Sequence, residues 1–217
     1  MREGLAYYLG VSYRRKRVDA DLASSAPFFA GRVLDVGGGR RRGAFRPPAG
    51  ARWVVADLVA GHGADVLADV QALPFRDSAF DAVKATEVLE HVSDVEAALA
   101  ECRRVLRAGG HLVATVPFLE RLHSDPQDYA RFTRAKWEEL MARAKLTPVT
   151  IAEQGGYFTH LAGLLRFLVL RAPAGLRHGG YLLFPLLDLL VRLDGLPRVR
   201  RSEFAAFVGG YLIIAAR

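Results

Sequence analysis

The sequence predicts a doubly wound α/β fold built on a mostly parallel sheet of seven strands. Short apolar runs that end in glycine or an acidic residue alternate with longer segments of helical periodicity, which is typical of strands and helices that alternate along a chain. The apolar runs are continuous rather than alternating, as expected for strands buried on both faces of a sheet. The chain has 217 residues, which is enough for one domain of this class.

Seven segments carry the strand pattern. The first stops at a run of three glycines, the second ends at Asp57 and the third ends near Asp69. In chain order the predicted strands lie in GRVLDVGGG, ARWVVADL, ADVLADV, FDAVKATEVLEHV, HLVATVPF, TPVTIAEQ and FVGGYLIIAAR.

The clearest helix is predicted between the fourth and fifth strands. Ser93 is its expected N-cap, Glu96 completes a capping box, and Gly109 with Gly110 is expected to end it. Its apolar stripe comprises Val95, Ala98, Leu99, Cys102 and Leu106. Cys102 on this stripe is expected to be a core residue, and Thr133 is expected to begin the next helix.

The chain is predicted to form a single domain over residues 1–217, with a helical lead-in at 1–30 and a helical insertion at 155–205 between the last two strands. The insertion is expected to form two helices that pack together near the substrate mouth. Its apolar residues surround almost a full helical turn, so its own domain, a second copy or a membrane surface must cover them. A homodimer is favoured over a membrane contact, because Arg166 and Arg171 supply few charges for a basic face.

The formal net charge is +7 and the sequence pI is about 9.9. Arginine-rich runs at 14–17, 40–42 and 198–201 are compatible with phosphates, acidic glycans or an anionic membrane, but a solvated basic surface is the favoured explanation, because charge alone is weak evidence for a partner. One cysteine excludes an intramolecular disulfide. The N-terminal segment has no signal-peptide pattern and no run of about 18 apolar residues occurs, so we expect a cytoplasmic protein.

Glycines and acidic residues mark the strand ends where an open parallel sheet binds its ligands. Gly37 follows the first strand, and Asp57 lies twenty residues later, where a carboxylate can accept the hydroxyl hydrogens of a ribose. This pair fits several nucleotide-containing cofactors. The dinucleotide pattern G-x-G-x-x-G would need glycine at position 42, which is Arg42. Asp35 could face a cationic group, and Asp69 followed by Val70 suits an adenine ring.

Longer motifs sharpen this interpretation. They are VLDVGGG at 33–39, Asp57, DVQALPFRDSAFDAV at 69–83, TEVLEHV at 86–92 and ECRRVLRAGGHLVATVPF at 101–118. Together they resemble the class I methyltransferases, in the group related to the ubiquinone and menaquinone methyltransferases, which have a Rossmann-like sheet and use S-adenosylmethionine. The residues implied to bind this cofactor are Asp35, Gly37, Gly38, Gly39, Asp57, Leu58, Asp69, Val70 and Glu87. Arg41 departs from the family's usual G-x-G-x-G.

The loop after the fifth strand, PFLERLHSDPQDYARFT, carries the candidate catalytic residues. Similar H-x-x-P-x-D-Y-x-R-F-T loops occur in bacterial methyltransferases of polysaccharide and glycosylated natural-product pathways. His123 is the expected general base, with Asp125 or Asp128 orienting its ring. The candidate substrate-binding residues are His91, Tyr129 and Arg131. No histidine or cysteine spacing indicates zinc, and no metal is expected; a hard cation at His123, Asp125 and Asp128 is the alternative.

These observations predict O-methylation of a sugar hydroxyl in a glycan or glycosylated natural product. Thr86-Glu87-Val88 stands where amino methyltransferases of bases or glutamine carry an Asn-Pro-Pro-Tyr type motif, which argues against that chemistry. Three alternatives stay open. The apolar insertion favours a quinone or lipid methyltransferase. The charge favours an RNA methyltransferase, although no RNA-binding module is visible. A non-catalytic cofactor-binding protein would share the same motifs.

Overall fold

The structure, a computed structural model, describes residues 2–38, 43–60, 63–123 and 127–217 and divides the chain into two compact units. We call residues 20–153 with 210–217 the sheet unit, and residues 1–19 with 154–209 the helical unit. The strands are β1 (Arg32–Val36), β2 (Arg52–Asp57), β3 (Val66–Leu67), β4 (Phe80–Thr86), β5 (Leu106–Pro117), β6 (Thr147–Gln154) and β7 (Gly210–Ala216). The α-helices are α1 (Arg2–Gly10), α2 (Tyr13–Ser24), α3 (Val95–Val105), α4 (Arg134–Arg143), α5 (Tyr157–Arg171), α6 (Ala174–Gly180), α7 (Phe184–Arg192) and α8 (Pro197–Arg200).

The seven strands form one sheet in the order β3-β2-β1-β4-β5-β7-β6. β1 pairs in parallel with both β2 and β4, β4 pairs in parallel with β5, and β7 runs antiparallel to β5. The predicted mostly parallel, doubly wound sheet is confirmed. The chain order reverses between β1 and β4, because β2 and β3 extend the sheet to one side of β1 and the later strands extend it to the other.

Continuous burial of the central strands accounts for the apolar runs in the sequence. Val33 and Leu34 of β1, Val83 of β4 and Leu112 with Val113 of β5 are fully buried. The third strand is shorter than predicted, since only Val66 and Leu67 pair with β2. Asp69 therefore lies in the turn beyond β3 and not in the strand itself.

The helix between β4 and β5 differs from the prediction at both ends. Its N-cap is Asp94 rather than Ser93, because the Asp94 carboxylate accepts from the backbone N–H of Ala97 at 2.9 Å. Its last residue is Val105. Leu106 has extended backbone angles and begins β5.

Gly109 and Gly110, predicted to end the helix, lie inside β5. A Cβ at Gly110 would lie 2.9 Å from the carbonyl oxygen of Asp81, so Gly110 permits close pairing between β4 and β5, whereas Gly109 has a φ of +76° that favours glycine. Two other expectations are confirmed: Cys102 is fully buried in α3, and the Thr133 side chain caps α4.

The two apolar stretches of the predicted insertion form α5 and α7, and they pack together as predicted. Ala162 of α5, Phe184 and Leu187 of α7 and Tyr13 of α2 form one buried cluster. The prediction of only two helices was wrong, because α6 and α8 also form in this region. Pro173 follows the end of α5, and prolines occupy the first turns of α7 and α8. These three prolines divide the segment into separate helices. The predicted single-domain organisation and the position of this segment near a substrate mouth stay predictions.

Two polar residues, the half-buried Asp194 and the buried Arg166, bind backbone groups within the helical unit. The Asp194 carboxylate accepts from the backbone N–H groups of Gly156, Phe158 and Thr159, and so satisfies the N-terminus of α5. Arg166 is fully buried and donates to the carbonyl oxygens of Tyr8 and Val11. Arg166 is therefore not the surface charge that the sequence analysis assumed. Among the described residues, none of the helices has the length and hydropathy that crossing a bilayer requires.

The observed cap gives a direct test of the α3 boundary. Changing Asp94→Ala removes the acceptor for the Ala97 N–H, and we expect the free energy of unfolding to fall by about 0.5–2 kcal/mol. The matched control is Ser93→Ala, whose exposed hydroxyl bonds only to the side chain of Gln71, so its effect should stay below about 0.5 kcal/mol. Urea unfolding of the two variants measures the difference. A larger loss for Ser93→Ala would contradict the assigned cap.

Candidate functional site

The carboxyl ends of four parallel strands meet at one edge of the sheet unit. Val36 of β1 lies in register with Ala56 of β2 on one side and with Ala85 of β4 on the other. Thr86 at the end of β4 lies in register with Thr115 of β5. The residues predicted to bind the cofactor therefore share the edge at which the strand order reverses, where open α/β sheets bind ligands.

The turn after β1 is built so that only glycine fits. Gly37 has a φ of +67°, and its N–H donates to the carbonyl of Ala56 at 2.8 Å. A Cβ at Gly37 would lie closer than 3.0 Å to the Val88 side chain, and a Cβ at Gly38 would lie equally close to the Asp35 carboxyl group. The side chains of Val88 and Asp35 therefore exclude larger residues from these two positions. Gly39, together with 40–42, lies outside the described residues.

Asp35 forms an ion pair that the sequence analysis missed. Its Oδ1 lies 2.7 Å from Nζ of Lys84, and the side chains of the two residues are only 13% and 10% exposed. The two residues are register partners across β1 and β4. The carboxylate expected to face a cationic group of the cofactor is therefore already paired with a cation of the protein. A lysine between the apolar residues Val83 and Ala85 was the available signal, because a buried ammonium requires a partner.

Two further acidic residues mark the ends of β2 and β3. Asp57 is the last residue of β2, and its Oδ1 accepts from the N–H of Val59 at 3.0 Å. The Asp69 carboxylate accepts from the backbone N–H of Gln71 at 2.8 Å and also from its side-chain amide. Leu58 exposes its side chain next to Asp57, whereas Val70 is buried beside Asp69. Gln71 was not predicted as a site residue.

Glu87 follows β4 in an uncommon backbone conformation. Its φ is +53°, a value that non-glycine residues adopt rarely and that often marks functional positions. Its N–H donates to the carbonyl of Thr115 at 2.9 Å, and the Thr115 hydroxyl donates to Oε1 of Glu87 at 3.0 Å. The fully buried Thr115 thereby fixes the carboxylate at the sheet edge.

A second cluster lies beyond β4 and β5 and contains two histidines. His91 ends a short 3₁₀ turn after β4, and its Nδ1 lies 2.5 Å from the carbonyl oxygen of Gln127. The rings of His91 and His123 meet edge to face, with 4.9 Å between their centroids. The structure therefore brings together a predicted substrate-binding residue and the predicted base.

Asp128 organises the loop around His123. Its Oδ2 lies 3.4 Å from Nδ1 of His123 and accepts from the His123 backbone N–H at 3.2 Å. Arg131 binds the same carboxylate through two guanidinium nitrogens, with Nη2 at 2.6 Å from Oδ2. Burial opposes ionisation of Asp128, but the hydrogen bonds from Arg131 and from the His123 backbone outweigh it and hold the pKa of the carboxyl below its usual range.

The remaining predicted loop residues have different surroundings. Arg131, predicted to contact substrate, is instead engaged by Asp128. The Tyr129 side chain is 56% exposed, and its backbone N–H donates to the carbonyl of Glu90 at 2.8 Å. Asp125, the alternative partner of His123, lies outside the described residues.

The two histidines and a neighbouring glutamate together have the ligand types of a metal site. Glu90, His91 and His123 each offer a ligand atom, and these atoms lie within 4.8 Å of one another. Glu90 is buried, and its Oε1 lies 3.7 Å from Nε2 of His91. The sequence analysis expected no metal and did not identify Glu90. The alternative cation site of His123, Asp125 and Asp128 includes a residue outside the described ranges.

Comparison with known sequences identifies the domain. A family model described as a methyltransferase domain matches residues 48–114. The chain is 37% identical over 123 residues to the ubiquinone/menaquinone biosynthesis C-methyltransferase UbiE of Paracoccus denitrificans, covering 45% of this chain and 49% of that protein. It is 39% identical over 67 residues to the O-methyltransferase rstn1 of Aspergillus nomiae, covering 31% and 30% respectively. The chain spans about half or less of the length of these relatives.

Solved structures agree on the fold. The 1,6-didemethyltoxoflavin-N1-methyltransferase of Burkholderia thailandensis, solved with 1,6-didemethyltoxoflavin and S-adenosylhomocysteine, superposes with a TM-score of 0.57 at 18% identity. The likeness covers 100% of this chain and 83% of that structure. The sheet order and the turn after β1 agree with the methyltransferase relatives found by sequence. Residues 48–114 match the methyltransferase-domain family, and the sheet has the fold of solved S-adenosylmethionine-dependent methyltransferases.

Proposed function

We propose that this chain transfers the methyl group of S-adenosylmethionine to a sugar hydroxyl of a glycan or glycosylated natural product, with His123 as general base. The observation that carries the proposal is the contact between His123 and Asp128. A histidine whose Nδ1 lies 3.4 Å from an ionised, largely buried carboxylate is oriented to accept a proton at its other ring nitrogen. This pair lies in the loop that leaves β5, one of the strands that ends at the cofactor edge.

The residues at the strand ends fit the cofactor. Gly37 and Gly38 keep the turn after β1 free of side chains, because Val88 and Asp35 occupy the positions that their Cβ atoms would take, and a bare backbone turn suits the methionine end of the molecule. Asp57 offers a carboxylate for the ribose hydroxyls, and Asp69 with Val70 offers a polar and an apolar contact for adenine. Glu87, fixed by Thr115, would lie beneath the cofactor. When bound, S-adenosylmethionine supplies an electrophilic methyl group, so the protein only has to place and deprotonate the acceptor.

Deprotonation of the acceptor is the chemical task of the loop. A protonated alcohol is a poor nucleophile, and a positioned base contributes about 10²–10⁴-fold to the rate. Arg131 keeps the Asp128 carboxyl ionised, and the ionised carboxylate stabilises the imidazolium form of His123 that results from proton abstraction. His91 packs against the base, and the exposed ring and hydroxyl of Tyr129 can contact the acceptor.

A quinone or lipid methyltransferase is the second candidate. Two observations favour it: the similarity to UbiE, and the many exposed leucines of the helical unit. Methylation of a ring carbon would require the carbon to be activated, for example by deprotonation of a neighbouring phenol, and His123 could serve there as well. The position of the new methyl group in the product, read by NMR, separates the two candidates. An RNA methyltransferase and a non-catalytic cofactor-binding protein remain the less favoured readings.

The close contact between Gly38 and the Asp35 carboxyl group gives a testable prediction. In Gly38→Ala the new Cβ must displace the Asp35 carboxyl group, which Lys84 holds at 2.7 Å. We expect the affinity for S-adenosylhomocysteine, measured by calorimetry, to fall by about tenfold or more, equal to about 1.4 kcal/mol. Gly163→Ala is the matched control, because nothing lies within 4 Å of a Cβ there and α5 tolerates alanine. Equal affinities in both variants would contradict a role of the turn at Gly38 in cofactor binding.

The contact between His123 and Asp128 gives a further testable prediction. Against a panel of hydroxylated glycosides, with S-adenosylhomocysteine release as the readout, His123→Ala should lower kcat by about two orders of magnitude. Its affinity for S-adenosylhomocysteine should stay nearly unchanged. Asp128→Asn should lower kcat as well, because the imidazolium that forms when His123 takes the proton loses its charged partner. Full activity of His123→Ala, or equal loss of turnover and cofactor affinity, would rule His123 out as the base.

A further inference from the structure

The helical unit exposes an unusual number of large apolar side chains. Leu164, Leu165 and Leu168 lie on one face of α5, since their spacing follows the helical repeat, and Leu168 is 65% exposed. Ala162, on the other side of the same helix, belongs to the buried cluster. Over α5, α6, α7 and the turn before α7 the exposed set is Leu164, Leu165, Phe167, Leu168, Leu176, Leu182, Leu183, Leu186 and Leu189. We call these nine side chains the leucine face.

The net charge of the chain resides entirely in the same unit. Residues 1–19 and 154–209 contain twelve Lys and Arg and five Asp and Glu, a formal charge of +7. The sheet unit contains eighteen of each and is formally neutral. The basic character seen in the sequence is therefore not a general property of the surface. The excess positive charge belongs to the unit that exposes the leucines.

Several acidic residues of the helical unit are engaged inside it. Asp19 accepts from the Tyr7 hydroxyl, and Asp194 caps α5. Asp188 accepts from the hydroxyls of Tyr8 and Tyr13. Burial opposes ionisation of Asp188, but these hydrogen bonds and the nearby cations hold its pKa below the usual range. Three of the five acidic residues of the unit are thus engaged by its own hydrogen-bond donors, and all five are already counted in its formal charge of +7.

Exposed arginines end two of the helices that carry the leucine face. Arg171 ends α5, and Arg192 ends α7; both side chains are exposed. Further basic residues follow in and directly after α8 at Arg198, Arg200 and Arg201. The sequence analysis counted only Arg166 and Arg171 and so favoured a homodimer. In the structure Arg166 is buried, while the unit as a whole supplies far more charge than that count suggested.

We infer that the helical unit docks its leucine face on an anionic lipid bilayer. Apolar side chains that lie among arginines are the combination that binds a bilayer surface, where the leucines enter the headgroup region and the arginines contact lipid phosphates. A second copy of this chain fits less well, because two units of charge +7 repel each other. The inference uses only residues of the helical unit and does not depend on methyl transfer.

Vesicle co-sedimentation of the full chain tests the inference. The protein should bind vesicles of phosphatidylcholine with phosphatidylserine at low salt, bind phosphatidylcholine alone far more weakly, and lose binding as salt is raised. Leu168→Glu and Leu186→Glu should each lower the partition coefficient by about tenfold or more. Arg171→Gln with Arg192→Gln should lower it by about fivefold for each arginine.

The matched control is Val149→Glu, an equally drastic change at an exposed position of β6 in the sheet unit, which should leave binding unchanged. Circular dichroism checks that each variant is folded. Absence of binding to the anionic vesicles, or equal binding to both vesicle types, would overturn the inference. So would a dimer in light scattering that Leu168→Glu dissociates, because a second copy would then cover the face.

Discussion

The ion pair between Asp35 and Lys84 is the constraint on which the site depends. It joins the two central strands at the point where the strand order reverses, and both side chains are largely buried. A buried charge without its partner is strongly destabilising, so the two residues hold each other in place. The fixed Asp35 carboxyl group in turn excludes any side chain at Gly38. The turn after β1, which we propose receives the cofactor, therefore keeps a bare backbone at Gly38.

The parts of the site that follow local rules could be predicted from the sequence. Gly37 and Asp57 stand at strand ends because an apolar run must stop where the chain leaves the sheet. Contacts between distant segments could not be predicted. The hydroxyl of Thr115 that fixes Glu87 and the carbonyl of Gln127 that meets His91 come from other segments of the chain. The sequence around these residues does not indicate which distant group they contact.

Helix boundaries and one buried cation show where local rules mislead. Leu106 continues the apolar stripe of α3, yet it pairs with Phe80 of β4, and pairing within the sheet overrides helical periodicity. Arg166 looks like a solvated charge on an apolar helix. It is buried because the C-terminal end of α1 and the residue Val11 present backbone carbonyls that need donors, and a guanidinium supplies several. Its absence from the surface makes the remaining charge distribution of the helical unit more informative than the sequence count.

The central claim is that the strand-end carboxylates of the sheet unit hold S-adenosylmethionine, and calorimetric titration with S-adenosylhomocysteine tests it most directly. The account predicts saturable binding by the unmutated chain. It also predicts that Asp57→Ala weakens this binding by about 1.5–3 kcal/mol, the range for a hydrogen bond to a charged group. No binding at millimolar ligand, or binding that Asp57→Ala leaves unchanged, would contradict it.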